Sequence, residues 1–274
     1  MNLKENSISS KILTGKNVLL RVDFNVPLKG SELLDDERLV RALPTIKYIL
    51  KEAKSLKILT HLGRPEETNL IQDRFSLKPV ANRLSELLGE EVGLAASLKD
   101  LESQVGIAML ENIRFFKGEK NNDKALSKAL SNLADIFVMD AFGTSHRKQA
   151  STYGITEFIN EACVGLLVEE ELSALEKIVS SPTKPLLGII GGSKISTKMK
   201  VIDSLTKHVD HLIIGGALAN TCFKALDKNI GKSLYEEEFV PLAKKIVNHP
   251  KIVLPEYVMA VSYTHLRAHE TFGY

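Results

Sequence analysis

Short apolar runs, each closed by polar or glycine residues and followed by a helical pattern, recur along the chain and constrain its fold more than any other feature. The runs cover residues 18–22, 56–60, 106–110, 135–139, 186–190, 211–214 and 251–254. Because they are continuous rather than alternating, they are typical of strands buried on both faces. Strands that alternate with helices across short connections predict an α/β fold with parallel sheets flanked by helices.

Helical spacing separates these runs. Apolar residues recur at i, i+3, i+4 and i+7 from Ile46 to Ala53, and we expect Pro44 to occupy the first turn of that helix. The same spacing recurs over residues 125–133 and again from Val168 to Val179. Prolines soon follow the last pattern and predict its end, because proline cannot continue a helix.

These patterns predict four segments. A first domain covers residues 1–165, a connecting helix covers 166–180, and a second, incomplete α/β unit covers 181–260. Residues 261–274 show neither strand alternation nor an apolar helical stripe, and we interpret them as a tail foreign to the fold.

Composition excludes several classes of function. The 274 residues include 36 Lys+Arg and 34 Asp+Glu, which gives a net charge of +2. This small net charge does not indicate binding to nucleic acid or to an acidic membrane. Cys163 and Cys222 lie too far apart to suggest a disulfide framework or a zinc site, which favours a reducing compartment. Neither a signal peptide nor an apolar run of about 18 residues is present, and we expect a cytoplasmic protein.

Polar residues follow each of the first strands, at the sheet edge where parallel α/β folds bind ligands. Asp23 and Asn25 flank Phe24 and are predicted to point to one side, where they can grip a hydroxyl or orient an acid. The next strand is followed by residues 61–64, in which His61 and Arg64 surround Leu62 and Gly63. The alternatives are that Asp23 caps a turn and that His61 is a packed histidine.

Arginines recur at this edge. Arg114 follows the third strand, His146 and Arg147 follow the fourth, and Arg38 lies in the first crossover. One arginine alone is usually solvated, but several at one topological position predict a small, multiply charged anion, because the guanidinium fork matches carboxylate and phosphate. Packing without a ligand role is the alternative for His146.

Glycine pairs follow two strands of the second unit. Gly191 and Gly192 precede Lys194 and Lys198, and Gly215–Gly216 repeats the strand-to-glycine pattern. Backbone N–H groups and a helix N-terminus suit phosphate, and we expect both lysines on one helix face. The alternatives are glycines that only turn the chain and an exposed basic face. No metal-ligand set is predicted, since His265 and His269 have ligand spacing without the glutamate of the zinc-protease pattern.

Five motifs, in order and spacing, resemble those of phosphoglycerate kinases. They occupy residues 21–27, 61–65, 110–115, 140–147 and 191–194. The resemblance covers about residues 10 to 260 and implies two Rossmann-like domains, the second incomplete here. It implies a phosphotransferase of glycolysis and gluconeogenesis that reversibly moves the γ-phosphoryl group of ATP to the carboxylate of 3-phosphoglycerate, giving 1,3-bisphosphoglycerate.

The same resemblance assigns roles to residues. The acid site comprises Asp23, Phe24, Asn25, Arg38, His61, Leu62, Gly63, Arg64, Arg114, His146 and Arg147. The nucleotide site comprises Gly191, Gly192, Lys194, Lys198, Gly215 and Gly216. Arg38, Lys194 and Lys198 would surround the transferring phosphoryl group. ATP or ADP, Mg²⁺, hinge closure and a monomeric state without nucleic acid or membrane partners complete the expectation.

Complete members of that family continue past this chain, with later segments that hold Mg²⁺ and nucleotide. Two alternatives therefore stand beside the enzyme. One is a fragment that binds the phosphorylated acid and transfers nothing. The other is a non-functional truncation that exposes a sheet edge and aggregates.

Overall fold

A computed structural model describes residues 5–256 of the chain. These residues fall into two compact units, with the division between Leu175 and Glu176. The domain limits predicted at 165 and 181 stay predictions, and the predicted tail at 261–274 lies outside the described residues.

The first unit contains eight of the described strands. In chain order they are β1 (Asn17–Val22), β2 (Leu28–Lys29), β3 (Glu32–Leu33), β4 (Ser55–Leu59), β5 (Gly93–Ala95), β6 (Ile107–Leu110), β7 (Ile136–Asp140) and β8 (Glu161–Val164). Six form one sheet in the order β5-β6-β4-β1-β7-β8, and every pair in it is parallel. The other two, β2 and β3, form a small antiparallel hairpin.

Helices join and cover these strands. They are α1 (Glu37–Leu50), α2 (Lys78–Leu88), α3 (Leu98–Ser103), α4 (Lys124–Ser131) and α5 (Leu166–Ser180). The prediction that Pro44 opens its helix is wrong, because α1 begins at Glu37 and Pro44 lies inside it. The helix tolerates the missing N–H of one proline because Ile46 and Ile49, on its apolar stripe, are fully buried.

Strand β1 shows why the continuous apolar runs form buried strands. Val18, Leu20 and Val22 belong to one hydrophobic cluster, whereas Leu19 belongs to a second. The first cluster includes Ile46 from α1, and the second includes Leu126 and Leu130 from α4. Successive side chains of β1 therefore enter cores on opposite faces of the sheet, which confirms the α/β prediction.

The second unit contains the remaining elements. Its strands are β9 (Leu187–Ile190), β10 (His211–Ile214) and β11 (Ile252–Val253), and its helices are α6 (Met199–His208), α7 (Gly216–Ala225) and α8 (Val240–Val247). The strands are parallel in the order β11-β10-β9. Their core includes Ile190, Leu212 and Ile214 together with Ile202 of α6 and Leu218 of α7.

Every strand predicted from an apolar run is present, but β5, β8 and the β2–β3 hairpin were not predicted. These elements are two to four residues long, and their short segments give little apolar signal. Among residues 5–256, every helix is too short or too polar to cross a lipid bilayer.

Candidate functional site

The carboxyl ends of β1, β4, β6 and β7 meet at one edge of the six-stranded sheet. Strand β1 pairs with β4 on one side and with β7 on the other. The chain first adds strands on the β4 side and then returns to add β7, so the strand order reverses at β1. Such a reversal opens a crevice at the carboxyl ends of the strands, where α/β proteins bind ligands.

Asp23, one residue beyond β1, connects three of the predicted acid-site residues. Its Oδ2 accepts a hydrogen bond from Arg38 Nη1 at 2.5 Å. Its Oδ1 accepts one from the Asn25 N–H at 3.3 Å and lies 3.9 Å from His61 Nδ1. Because Arg38 comes from α1 and His61 from the end of β4, Asp23 gathers groups from three elements.

Gly63 links this edge to Arg114. Asn25 Oδ1 accepts a hydrogen bond from the Gly63 N–H at 2.8 Å, and the Gly63 carbonyl accepts one from Arg114 Nη1. The residue has φ of 59°, and a Cβ placed there would lie 2.5 Å from Cε1 of Phe75. Both the left-handed backbone and the close ring therefore require glycine at this position.

Asn112 fixes the backbone next to that glycine. Its Oδ1 accepts hydrogen bonds from the N–H groups of Leu62 at 3.2 Å and Arg114 at 3.1 Å, and its Nδ2 donates to the Leu62 carbonyl at 2.7 Å. The Phe24 N–H similarly donates to Thr60 Oγ1 at 2.9 Å. Asn112 and Thr60 thus hold the loops in register, and both were missed as site residues.

A buried polar cluster lies behind the edge. Arg21 is fully buried, and its Nη2 lies 3.3 Å from His61 Nδ1 while its Nε donates to Ser151 Oγ at 3.1 Å. Ser151 in turn donates to Glu119 from Oγ at 2.6 Å and from its N–H at 3.0 Å. The sequence contained a signal for this cluster, because Arg21 is a charged residue inside the apolar run of β1. Charged side chains are seldom fully buried without a partner.

The charges of this region shift its titratable groups. Burial, followed by the charges of Arg21, Arg114, Arg147 and Arg38, lowers the pKa of His61 from 6.5 to about 2. His61 is therefore a neutral imidazole at physiological pH.

The buried acid and two of the guanidinium groups shift as well. Burial, and then the charges of Arg147 and Arg21, lowers the pKa of Arg114 to about 10. Burial lowers the pKa of Arg21 and raises the pKa of Glu119, and their mutual attraction opposes both shifts. Glu119 was also missed, and its polar surroundings in the sequence gave no signal.

The remaining acid-site residues differ in accessibility. Arg64 and His146 are exposed, and Arg147 is half-buried after β7. The charges of Arg64 and Arg147 both act on Arg114, which places them near the same edge. The side chains of Phe24 and Leu62 belong to the core, so only their backbone is available to a ligand.

The two glycine pairs of the second unit lie against each other. The Gly192 carbonyl accepts a hydrogen bond from the Leu218 N–H at 2.8 Å, and a Cβ on Gly216 would lie 3.3 Å from that same carbonyl oxygen. Gly216 has φ of 64° and opens α7, with Gly215 before it. The Gly191–Gly192 turn and the N-terminus of α7 therefore form one glycine-lined surface.

Lys194 and Lys198 are both exposed, but they do not share a helix face. Helix α6 begins at Met199, so the prediction of a shared face is wrong. The preceding segment forms a turn, in which the Lys198 N–H donates to the Ile195 carbonyl at 3.0 Å. Ile195 is fully buried and anchors this turn to the core.

Glu236, which is distant in the sequence, holds the turn between Lys194 and Lys198 through Ser196. Its Oε2 accepts a hydrogen bond from the Ser196 N–H at 2.9 Å, and its Oε1 accepts one from Ser196 Oγ at 2.6 Å. The Ser196 side chain, through this bond, is the main cause that lowers the pKa of Glu236. Glu236 was missed, because an acid 40 residues away in the chain gives no local signal.

The described residues contain no cluster of side chains arranged as a metal-binding site. Over 5–256, no group of three or more His, Cys, Asp or Glu side chains is placed to hold an ion.

Comparison with known proteins identifies the family. The family model described as Phosphoglycerate kinase matches residues 8–271. The chain is 48% identical over 238 residues to the phosphoglycerate kinase of Vibrio campbellii, a match that covers 86% of this chain and 61% of that protein. It is 47% identical over 241 residues to the phosphoglycerate kinase of Francisella philomiragia, covering 87% of this chain and 61% of that protein. The chain thus spans about three fifths of the length of these curated relatives.

Two solved structures are also similar. The phosphoglycerate kinase of Coxiella burnetii matches with a TM-score of 0.80 and 44% identity, over 91% of this chain and 65% of that one. The phosphoglycerate kinase of Pyrococcus horikoshii matches with a TM-score of 0.77 and 28% identity, over 91% of this chain and 67% of that one. The fold, the five ordered motifs and these matches agree, and the chain belongs to the phosphoglycerate kinase family.

Proposed function

We propose that the chain serves the reversible transfer of the γ-phosphoryl group of ATP to the carboxylate of 3-phosphoglycerate. The observation that carries this proposal is the excess of guanidinium groups at one sheet edge. The groups at the edge are Arg38, Arg64, Arg114 and Arg147, against the carboxylate of Asp23. The buried pair Arg21 and Glu119 lies behind them and adds no net charge. A site with this excess suits a small molecule that carries both a phosphate and a carboxylate.

The acid site supplies donors in several directions. Arg114 is mostly buried, and its Nε has no hydrogen-bond partner in the described part of the chain. Buried donors are seldom left unpaired, so this one is suited to an anion that completes it. Asp23 supplies the complementary group, because its carboxylate can accept a hydrogen bond from the hydroxyl of the acid.

The nucleotide site rests on the glycine-lined surface of the second unit. Neither Gly191 nor Gly215 carries a side chain to hinder a phosphate from approaching the backbone N–H groups. Lys194 and Lys198 add two exposed ammonium groups to the same segment. Together these features suit the phosphates of ATP or ADP.

The proposed reaction asks little covalent chemistry of the protein. The nucleophile is a substrate carboxylate, which is ionised near neutral pH, so no general base is required. What remains is to position the two anions and to neutralise the charge that develops on the transferred phosphoryl group. Arg38, Lys194 and Lys198 are the proposed cations for that task. Mg²⁺, when bound, would neutralise phosphate charge.

Binding without transfer is the second candidate. The acid site lies within residues 23–147, whereas the curated relatives extend well beyond the length matched here. Under this alternative the chain binds 3-phosphoglycerate and does not catalyse phosphoryl transfer.

Two measurements on the full chain separate these functions. Phosphoryl transfer is measured by coupling 1,3-bisphosphoglycerate formation to NADH oxidation by glyceraldehyde-3-phosphate dehydrogenase. Calorimetry measures 3-phosphoglycerate binding in the wild type, in Arg114→Ala and in a control, Arg83→Ala, which removes a partly buried arginine of α2 that pairs with Asp36 and Glu86. We expect the wild type to bind 3-phosphoglycerate and Arg114→Ala to bind it more weakly. Arg83→Ala should bind it as tightly as the wild type does. Activity in the coupled assay supports transfer, binding without activity supports the second candidate, and no binding by the wild type contradicts both.

A further inference from the structure

We propose that Arg21, Ser151 and Glu119 are positioning residues that hold His61 as a neutral imidazole with its proton on Nε2. The inference rests on the proposed function in one respect, namely that His61 faces the acid substrate. The arrangement of the four side chains carries the rest.

Arg21 and His61 together determine which ring nitrogen of the imidazole carries the proton. Arg21 Nη2 lies 3.3 Å from His61 Nδ1, and a guanidinium has only donors. Nδ1 must therefore accept, which leaves the imidazole proton on Nε2. The competing tautomer would donate from Nδ1 to Asp23 Oδ1, but these atoms are 3.9 Å apart, beyond hydrogen-bond distance.

Arg21 is itself held in place by two further hydrogen bonds. Its Nη1 donates to the Val22 carbonyl and its Nε donates to Ser151 Oγ, so that, with Nη2 on His61, each of its three nitrogens has a partner. The only hydroxyl proton of Ser151 goes to Glu119 Oε1 at 2.6 Å. The donor directions are thereby fixed from Arg21 through Ser151 to Glu119.

The charges around His61 disfavour its protonated form. Glu119 is fully buried and supplies the negative charge that a fully buried Arg21 needs. The charged groups that act on His61 are Arg21, Arg114, Arg147 and Arg38, with Asp23 as the nearby carboxylate. Burial and these four cations oppose a further proton on the ring and so lower the pKa of His61.

The arrangement has a consequence for binding. His61 Nε2 has no hydrogen-bond partner among residues 5–256, so its N–H is free to donate to an oxygen of the acid. A neutral N–H donor can orient the acid through a directional hydrogen bond, while the arginines at this edge supply the positive charge. The fixed tautomer keeps this proton on Nε2 and not on Nδ1 throughout the physiological pH range.

The direct test is ¹⁵N–¹H NMR of the histidine rings in the full chain, with His61 assigned by comparison with His61→Gln. We expect the neutral Nε2–H pattern from pH 5.5 to pH 8. The Nδ1–H pattern, or titration near pH 6.5, would overturn the inference.

A double variant tests the role of the buried cluster. Arg21→Met with Glu119→Gln removes the buried pair together, so neither charge is left alone. We expect His61 to show a tautomer mixture and a higher pKa, and 3-phosphoglycerate to bind about tenfold more weakly. The control Arg83→Met changes a partly buried arginine of α2, which pairs with Asp36 and Glu86, and should leave both readings unchanged. Unaltered His61 signals in the double variant would contradict the positioning role.

A milder variant covers the case in which the double variant does not fold. Ser151→Ala removes the hydroxyl that orients Arg21, and we expect the same tautomer mixture in smaller proportion. A folded Ser151→Ala protein with a wild-type His61 spectrum would contradict the role of Ser151.

The two proposals fail in different ways. A wild type with the Nε2–H pattern that does not bind 3-phosphoglycerate would sink the proposed function alone. A wild type that binds the acid while His61 titrates would sink this inference alone.

Discussion

Arg38 of α1 reaches Asp23 at the end of β1, with 2.5 Å between Nη1 and Oδ2. The Arg38 side chain is 52% exposed, and exposed ion pairs contribute little to stability. The importance of the pair is therefore local. It holds Arg38 at the sheet edge. It also offsets part of the positive charge that would otherwise attract anions other than the proposed substrate.

The pair predicts how Asp23→Asn changes anion selectivity. Loss of the negative charge should raise the affinity for sulfate about threefold, because the remaining guanidinium groups are less compensated. The affinity for 3-phosphoglycerate should rise less or fall, because an amide accepts more weakly from the substrate hydroxyl and no longer holds Arg38. Calorimetry with both ligands gives the ratio of affinities.

The control for that ratio is Asp203→Asn, which makes the same charge change on an exposed residue of the second unit. It should leave both affinities as in the wild type. Equal factors for sulfate and for 3-phosphoglycerate in Asp23→Asn would show that Asp23 does not select the acid.

Arg114→Lys tests geometry against charge. The substitution keeps the positive charge but loses the fork that donates to the Gly63 carbonyl and presents an unpaired Nε. We expect 3-phosphoglycerate to bind about tenfold more weakly, because lysine cannot reproduce two-point recognition of an anion. Arg83→Lys is the matched control. Wild-type affinity in Arg114→Lys would mean that charge alone suffices.

The sequence predicted the strands better than the network behind the site. Continuous apolar runs located β1 and β4 because burial on both faces leaves that pattern, and the residues just after them gave Asp23 and His61. Glu119 and Ser151 could not be found in this way, since their partner Arg21 is about a hundred residues or more away in the chain.

Local patterns were also insufficient where tertiary contacts decide. The spacing of Lys194 and Lys198 suggested one helix face, but the bonds from Ser196 to Glu236 hold a turn in place there. Pro44 was expected to open a helix, yet α1 extends a further seven residues toward the N-terminus. In both cases a contact between distant residues outweighs a local preference.

Lys198→Ala tests the proposed cation of the second unit. We expect turnover to fall about 10²–10³-fold, the effect typical of removing one electrostatic donor, with unchanged 3-phosphoglycerate affinity. Lys200→Ala, which removes an exposed lysine of α6, should leave turnover unchanged. The coupled assay gives the rates and calorimetry gives the affinities. Normal turnover in Lys198→Ala would contradict its role.

Glu236→Gln tests how the Lys194–Lys198 segment is held. The hydrogen bond from Ser196 lowers the pKa of Glu236, so the folded state favours the ionised acid. This contribution to stability is present above the unfolded pKa and is lost as pH falls through the folded pKa. We therefore expect Glu236→Gln to be less stable than the wild type at pH 7 and to lose less stability below about pH 4.5.

Urea titrations that follow the Ser196 amide signal at pH 7 and pH 3.5 measure this difference. Glu237→Gln alters the exposed neighbouring acid and should retain the wild-type profile. The same pH dependence in Glu236→Gln as in the wild type would show that this carboxylate does not hold the segment.

Gly165→Ala tests how Asp140 begins α5. Asp140 Oδ1 accepts hydrogen bonds from the Leu167 N–H at 3.0 Å and the Val168 N–H at 3.1 Å, which caps the helix. A Cβ on Gly165 would lie 2.3 Å from Asp140 Cγ. We expect the substitution to destabilise the first unit by about 2 kcal/mol, through overpacking and a disturbed cap. Gly215→Ala, with open space around its Cβ, is the control.

A double-mutant cycle identifies the cause of that loss. If the Asp140 side chain is what the new methyl group meets, Gly165→Ala should cost much less in an Asp140→Gly background than in the wild type, because the Cβ, Cγ and Oδ1 atoms that lie within 2.7 Å of the new methyl group are then absent. Urea unfolding followed by circular dichroism gives the four free energies. Additive costs would contradict a clash between Gly165→Ala and Asp140, and would mean that Asp140 caps α5 independently of residue 165.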